Sequence, residues 1–185
     1  MERVKGGTIA ACMRIIAAAG ATLDEPFTVS DSGVVTLASA HDSASSTGAQ
    51  AAPSPKAGPQ PGHHTLRQLA RHIGRVIAQL HNACMTHGDL TTSNMLAVAT
   101  PVADPEAAVC LIDFGLTTKG SSPNLEDMGV DLYVLERAIG SSHPKQLDMW
   151  DAVLAAYLET VDSSDAISTR FEAVRARGRK RMAFG

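Results

Sequence analysis

The 185 residues predict an α+β domain, a mostly helical body that carries one small β-hairpin. Three observations lead there. Thr65 opens a stripe in which Leu66, Leu69, Ile73, Val76, Ile77 and Leu80 recur at three- and four-residue steps. That is the period of one helix face, and Arg67, Arg71 and Arg75 fall on the other side as a solvated surface. Two short apolar runs, Met95 to Val98 and Val109 to Ile112, flank a loose tip with Pro101 and Pro105 and read as a hairpin. Three more helical patterns follow, roughly Leu125 to Ile139, Lys145 to Leu158 and Ser164 to Arg177. His143-Pro144 breaks the first, and Asp162-Ser163-Ser164 offers capping residues to the last. With 44% hydrophobic but only 4% aromatic residues, aliphatic side chains and alanines must build most of the core.

The N-terminal third is less regular. Thr8 to Ala21 is rich in Ala and Ile behind Arg3 and Lys5, which superficially resembles a secretory signal. Arg14 falls inside the would-be apolar stretch and Glu2 among the leading basic residues, so a buried helix is expected instead. Phe27 to Leu37 alternates weakly and predicts a short hairpin arm. Residues 38–64 are Ser, Ala, Pro and Gly with almost no large apolar side chains. They cannot bury enough surface to offset their ordering entropy, and a disordered insertion is expected. The chain thus divides into 1–37, the insertion 38–64, a body 65–169 and a helix end with a basic tail at 170–185.

Three scattered cysteines, Cys12, Cys84 and Cys110, suit a reducing compartment and argue against both a disulfide framework and a zinc site. No run of about 20 apolar residues marks a membrane span. The net charge of −3 is unevenly placed: between Arg170 and Arg181 six basic residues face a single acid. Composition alone favours a solvated tail there over an arm that meets phosphate.

The chemistry is concentrated in two strings. His87-Gly88-Asp89-Leu90-Thr91-Thr92-Ser93-Asn94 precedes the hairpin, and Asp113-Phe114-Gly115 follows it. Phosphoryl transfer needs a carboxylate at the acceptor hydroxyl and hard oxygen ligands that hold Mg²⁺ against the phosphates. Asp89, then Asn94 five residues on, then Asp113 in an Asp-Phe-Gly string, supply these groups in the order found in kinases. Asp89 reads as the general base, or as the carboxylate that orients the acceptor hydroxyl or a water. Asn94 and Asp113 read as metal and nucleotide-phosphate ligands, with Phe114 and Gly115 shaping the loop. His87 reads as a brace within the loop. Thr91-Thr92-Ser93 leaves no lysine in the loop to steady the transferred phosphate, which points to a weak kinase or an ATPase. Glu126 and Asp127 read either as a solvated helix start or as an acidic partner surface.

The wording of these strings narrows the family. His87-Gly88-Asp89 lacks the arginine that regulated protein kinases place before the aspartate, and no Ala-Pro-Glu string follows Gly115. Together with Leu111-Ile112-Asp113-Phe114-Gly115-Leu116, the run from Glu126 to Ala138 (EDMGVDLYVLERA) and Arg175-Ala176-Arg177-Gly178-Arg179-Lys180-Arg181, they closely resemble the PRPK family. These are the small atypical kinases that form the kinase subunit of the KEOPS complex. The resemblance runs from about Leu66 to Gly185, and more loosely over Met1 to Ile16, where Met1 to Thr8 looks like the hinge between kinase lobes.

The resemblance implies a protein-kinase-like C-terminal lobe of an ATP- and Mg²⁺-dependent serine/threonine kinase or ATPase. Its work would support threonylcarbamoyl-adenosine modification of tRNA, in the cytoplasm and nucleus. It implies docking of the lobe on the OSGEP-like threonylcarbamoyl-transferase subunit, and tRNA contact through Arg177, Arg179, Lys180 and Arg181. It casts Asp131 as the helix aspartate that ties down the catalytic loop. Met182 stands where relatives commonly carry a serine, which removes the site for a phosphorylated tail. Neither the Gly-rich loop nor the lysine of an N-terminal lobe is found; the five lysines are Lys5, Lys56, Lys119, Lys145 and Lys180. The N-terminal lobe is therefore expected to be missing from the chain. Two rivals remain: a catalytically incomplete scaffold subunit of the same complex, and a small-molecule phosphotransferase of the aminoglycoside or RIO-like type.

Overall fold

A computed structural model describes residues 6–8, 10–11, 13, 26–29, 35–37, 64–98, 109–144 and 147–183. Among them the α+β expectation holds: four helices are accompanied by short strands in small antiparallel sheets. Most of the insertion expected at 38–64 lies outside the described residues, as does most of the helix expected over Thr8 to Ala21. Of that stretch Ala10, Ala11 and Met13 are helical, and Ala10 and Met13 are buried in the core.

The first helix, α1 (Leu66–Asn82), starts on a capping box. Thr65 Oγ1 accepts from the Gln68 N–H at 3.1 Å, and Gln68 Oε1 accepts from the Thr65 N–H at 2.9 Å. Its buried face is not quite the one expected. Leu66, Leu69, Ile73 and Ile77 are buried, but Val76 and Leu80 are only half-buried, and Ala70, Gly74, Ala78 and His81 take the centre. The reason is α3 (Asp148–Thr160), which packs on the small stripe. A methyl group on Gly74 would strike the Val153 carbonyl and come within 2.8 Å of the Tyr157 nitrogen. Nor are the arginines simply solvated, since Arg71 pairs with Glu159 at 2.8 Å.

The helix α2 (Leu125–Ser142) is capped by Asn124, whose Oδ1 accepts from the N–H groups of Glu126 and Asp127. It packs against α4 (Ser164–Ala183). Of the expected bounds, Lys145 lies outside the described residues and α3 begins at Asp148. The last helix runs on to Ala183 rather than ending near Arg177. Gly178 lets it stay close to α2, because a Cβ there would meet the Tyr133 hydroxyl. The basic run as far as Lys180 thus lies within α4.

The strands β1 (Gly6–Thr8), β6 (Met95–Val98) and β7 (Val109–Leu111) form an antiparallel sheet in the order β1-β6-β7. The expected hairpin is its β6–β7 pair, with Met95 opposite Leu111 and Ala97 opposite Val109, and β1 adds Gly6 opposite Val98. A second sheet joins β3 (Val35–Leu37), β2 (Pro26–Val29) and β4 (His64–Thr65) in that order. A two-residue ladder pairs β5 (Met85–Thr86) with β8 (Thr118–Lys119) and ties together the two ends of the segment from His87 to Thr117.

Candidate active site

The loop from His87 to Asn94 hangs between β5 and β6, and it is fixed from beneath by one carboxylate. Asp131, 1% exposed and on the second turn of α2, accepts from the His87 N–H at 2.6 Å and from the Gly88 N–H at 2.9 Å. A buried carboxylate costs free energy unless its oxygens are filled, and here two backbone donors and a histidine fill them. His81 Nε2 lies 3.3 Å from Asp131 Oδ2, and His81 Nδ1 lies 2.8 Å from the Tyr157 hydroxyl. With Nε2–H turned to the carboxylate, Nδ1 accepts from Tyr157. Burial, and then the charge of Asp131, raise the pKa of Tyr157 well above the ordinary tyrosine value, so it stays a donor.

Neither His81 nor Tyr157 was singled out from sequence. A signal existed for His81: it follows Ile73 and Ile77 at four-residue steps, and a polar side chain in a core stripe needs a buried partner.

Gly88 sits at φ +82, and a Cβ there would strike the Leu116 carbonyl and lie 2.9 Å from the Leu116 Cβ. The glycine in His-Gly-Asp is therefore a packing requirement of this loop. An arginine has no room beneath the segment that follows Asp113.

His87 is fully buried and joins the two strings. Its Nε2 lies 3.0 Å from the Ile112 carbonyl, its ring lies 5.0 Å from the Phe114 ring, and its own carbonyl accepts from Thr117 Oγ1 at 3.4 Å. The Ile112 N–H in turn bonds the Asn94 carbonyl at 2.9 Å. One imidazole and one backbone bond thus hold the start of Asp113-Phe114-Gly115 against the end of the catalytic loop. Asp113 itself takes the left-handed conformation at φ 64 and is exposed, and Gly115 leaves its carboxylate room. Phe114 and Leu116 are 45% and 66% exposed.

Asn94 Nδ2 donates twice, to the Asp89 carbonyl and to Asp89 Oδ2, both at 2.8 Å. The reverse orientation would set an amide oxygen against two acceptors, so the contact fixes the amide. It orients the Asp89 carboxylate and leaves Asn94 Oδ1 without a donor among the described residues. A free carboxamide oxygen and an exposed carboxylate one hydrogen-bonded step away are hard donors of the kind Mg²⁺ takes. The residues present fit the ion, which would neutralise phosphate charge there.

The predicted tail residues fall elsewhere. Arg177 pairs with Glu126, as does Arg170 at 3.3 Å. Arg175 pairs with Glu136 at 2.6 Å and Glu172 at 2.7 Å and lies over the Phe171 ring. Burial works against the Arg175 charge, but the bonds to Glu172 and Glu136 outweigh it and raise its pKa. Glu126 stands in the first turn of α2, as the helix-start reading expects, and there it pairs with the chain's own arginines. Arg179 and Lys180 are exposed on the same helix, and the Arg181 side chain lies outside the described residues.

Among the described residues no three His, Cys, Asp or Glu side chains cluster as a metal site, and no helix is long and apolar enough to cross a membrane.

Known proteins are similar to this chain over about two thirds of its length. The chain is 45% identical over 134 residues to the EKC/KEOPS complex subunit BUD32 of Coccidioides immitis, which covers 65% of this chain and 46% of that protein. It is 43% identical over 119 residues to the subunit of that name from Cryptococcus neoformans (63% and 40%). It is 44% identical over 120 residues to the EKC/KEOPS complex subunit Tp53rkb of Mus musculus (65% and 47%). The PRPK resemblance is thereby borne out. The chain spans about half the length of the curated relatives it matches. A family model matches residues 52–157, which hold the catalytic loop, the hairpin, Asp113 and Asp131, and by that match the chain belongs to the lipopolysaccharide kinase (Kdo/WaaP) family.

Proposed function

We propose that the chain supplies the catalytic loop and metal ligands of an ATP- and Mg²⁺-dependent serine/threonine kinase or ATPase that works within KEOPS, where it supports threonylcarbamoyl-adenosine modification of tRNA. The observation that carries this is the Asn94–Asp89 contact. It aims the carboxylate that would meet the acceptor hydroxyl or water, and it frees an oxygen for the ion. The relatives at 43–45% identity favour a KEOPS kinase over the lipopolysaccharide chemistry in the family's description. Bound ATP and Mg²⁺ would supply the phosphoryl group and the charge neutralisation. The protein's part is to hold Asp89, to keep Asn94 beside Asp113 through His87 and the Ile112 bond, and to anchor both through Asp131.

The partner in this reading is the OSGEP-like threonylcarbamoyl-transferase subunit, docked on this lobe in the cytoplasm and nucleus. In the same reading the tRNA contact is made by Arg177, Arg179, Lys180 and Arg181; the exposure of Arg179 and Lys180 supports it, while Arg177 is engaged with Glu126. In the native protein assembled with its KEOPS subunits, ATP turnover should require Mg²⁺ and disappear in Asp113→Ala. Turnover that persists would show that the metal ligands are misassigned. No turnover in the unaltered complex, with tRNA modification intact, would favour the scaffold reading.

A further inference from the structure

At the loop from His87 to Asn94 lies a concavity of about 380 Å³, walled on one side by Thr91, Thr92 and Ser93 and on the other by α2. Its lining among the described residues contains no carboxylate, and its one charged side chain is Arg137. Unlike Arg170, Arg175 and Arg177, which pair with Glu126, Glu136 and Glu172, Arg137 makes no ion pair among the described residues. An exposed guanidinium that the fold leaves unpaired, in a chain of net charge −3, keeps its full donor fork for an outside anion.

The rest of the wall is five hydroxyl-bearing residues and the two apolar residues Val134 and Ala138. Thr91 and Ser93 come from the loop, and Ser141 and Ser142 from the last turn of α2. Ser141 holds only a long 3.4 Å bond to the Ala138 carbonyl, which a ligand can replace. The Thr92 hydroxyl is turned inward, 3.5 Å from His143 Nε2. An unpaired cation beside several hydroxyl-bearing residues, with no carboxylate in the lining to repel an anion, matches a tetrahedral dianion. The volume exceeds that of bare phosphate and leaves space for the group that carries it.

We propose that this concavity is a phosphate-ester subsite anchored by Arg137. Thr91 to Ser93 lie between Asp89 and Asn94 on one loop, so a phosphate held there sits on the loop that carries the proposed acceptor carboxylate. The site supplies, from α2, a cation that the loop sequence itself lacks. It rests on the phosphotransferase reading only for its purpose, which is recognition of a phosphorylated group next to the acceptor. The binding itself is measured without turnover.

The test titrates the 185-residue chain with inorganic phosphate and, separately, with a phosphoseryl peptide, at constant ionic strength and without nucleotide or Mg²⁺. Binding is followed by ³¹P line width and calorimetry. Saturable binding that weakens tenfold or more in Arg137→Gln, and is unchanged in Arg179→Gln and Asp113→Ala, is the expected result. Tighter binding of the peptide than of phosphate would identify an ester as the ligand, whereas equal binding would reduce the site to one for free phosphate and overturn the ester assignment. Equal losses in Arg137→Gln and Arg179→Gln would mean diffuse charge attraction and overturn the site. Binding lost in Asp113→Ala and kept in Arg137→Gln would move the phosphate to the loop ligands and overturn it as well. Failure of ATP turnover in the assembled complex would leave these binding results untouched, so the two readings fail separately.

Discussion

Asp131 and Gly88 show how little separates a placed catalytic loop from a misplaced one. Asp131 accepts from two loop amides and lies against His81, with Asp131, His81 and His87 all buried. Asp131→Ala leaves these donors without partners, and each buried unsatisfied donor costs about 1–3 kcal/mol. We expect a loss of roughly 3 kcal/mol or more, seen as a lower urea midpoint with the slope unchanged. An unchanged midpoint would mean that water takes the place of the carboxylate. Gly88→Ala tests the other constraint, since its φ of +82 is unfavourable for any side chain and the Leu116 carbonyl blocks the new methyl. A destabilisation of about 2 kcal/mol is expected. The exposed Phe114 to Leu116 segment should move with it, which amide exchange at Leu116 and Thr117 would report. If exchange there matches the parent protein, the glycine is not what seats that segment.

Two glycines separate the demands of neighbouring helix pairs. At Gly74 the obstacle to a methyl group is the backbone of α3, which cannot turn aside, so Gly74→Ala should force α1 and α3 apart. Overpacking of this kind costs about 1–3 kcal/mol. At Gly178 the obstacle is the end of the Tyr133 side chain, which can rotate, and alanine gains about 1 kcal/mol of helix propensity over glycine. Gly178→Ala should therefore be near neutral, and thermal unfolding of the two variants side by side decides the matter. A Gly178→Ala variant as damaged as Gly74→Ala would mean that Tyr133 is held rigidly.

The same elements show what the sequence could and could not reveal. The α1 stripe, the β6–β7 hairpin and the kinase order of Asp89, Asn94 and Asp113 were legible, because periodicity and motif are local. The shift of the α1 face toward Ala70, Gly74 and Ala78 was not, since it depends on which helix lies across it. The pairing of Arg175 with Glu136 and of Arg177 with Glu126 was not legible either, because these partners lie some 40 to 50 positions away in sequence.

At the scale of the whole molecule, one buried polar chain joins most of the body. Tyr157 on α3 reaches His81 on α1, which reaches Asp131 on α2, which holds the loop between β5 and β6. No part of this network can open without exposing the rest, so its protonation should appear in global stability. Tyr157 is held protonated by burial and by the nearby Asp131 charge, while in the unfolded chain a tyrosine loses its proton near pH 10. Above that pH the unfolded state binds fewer protons than the folded state, so unfolding stability must fall as pH rises. The contribution is complete below about pH 10. It is then lost by up to about 1.4 kcal/mol per pH unit until the folded-state value is reached. Tyr157→Phe removes the titrating group and with it the hydrogen bond to His81, worth about 1 kcal/mol. The variant should therefore be less stable than the parent protein at pH 7, and its urea midpoint should decline less between pH 10 and 11. Equal slopes in the two proteins would show that another group governs alkaline unfolding, and the network would then be a set of separate contacts rather than one unit.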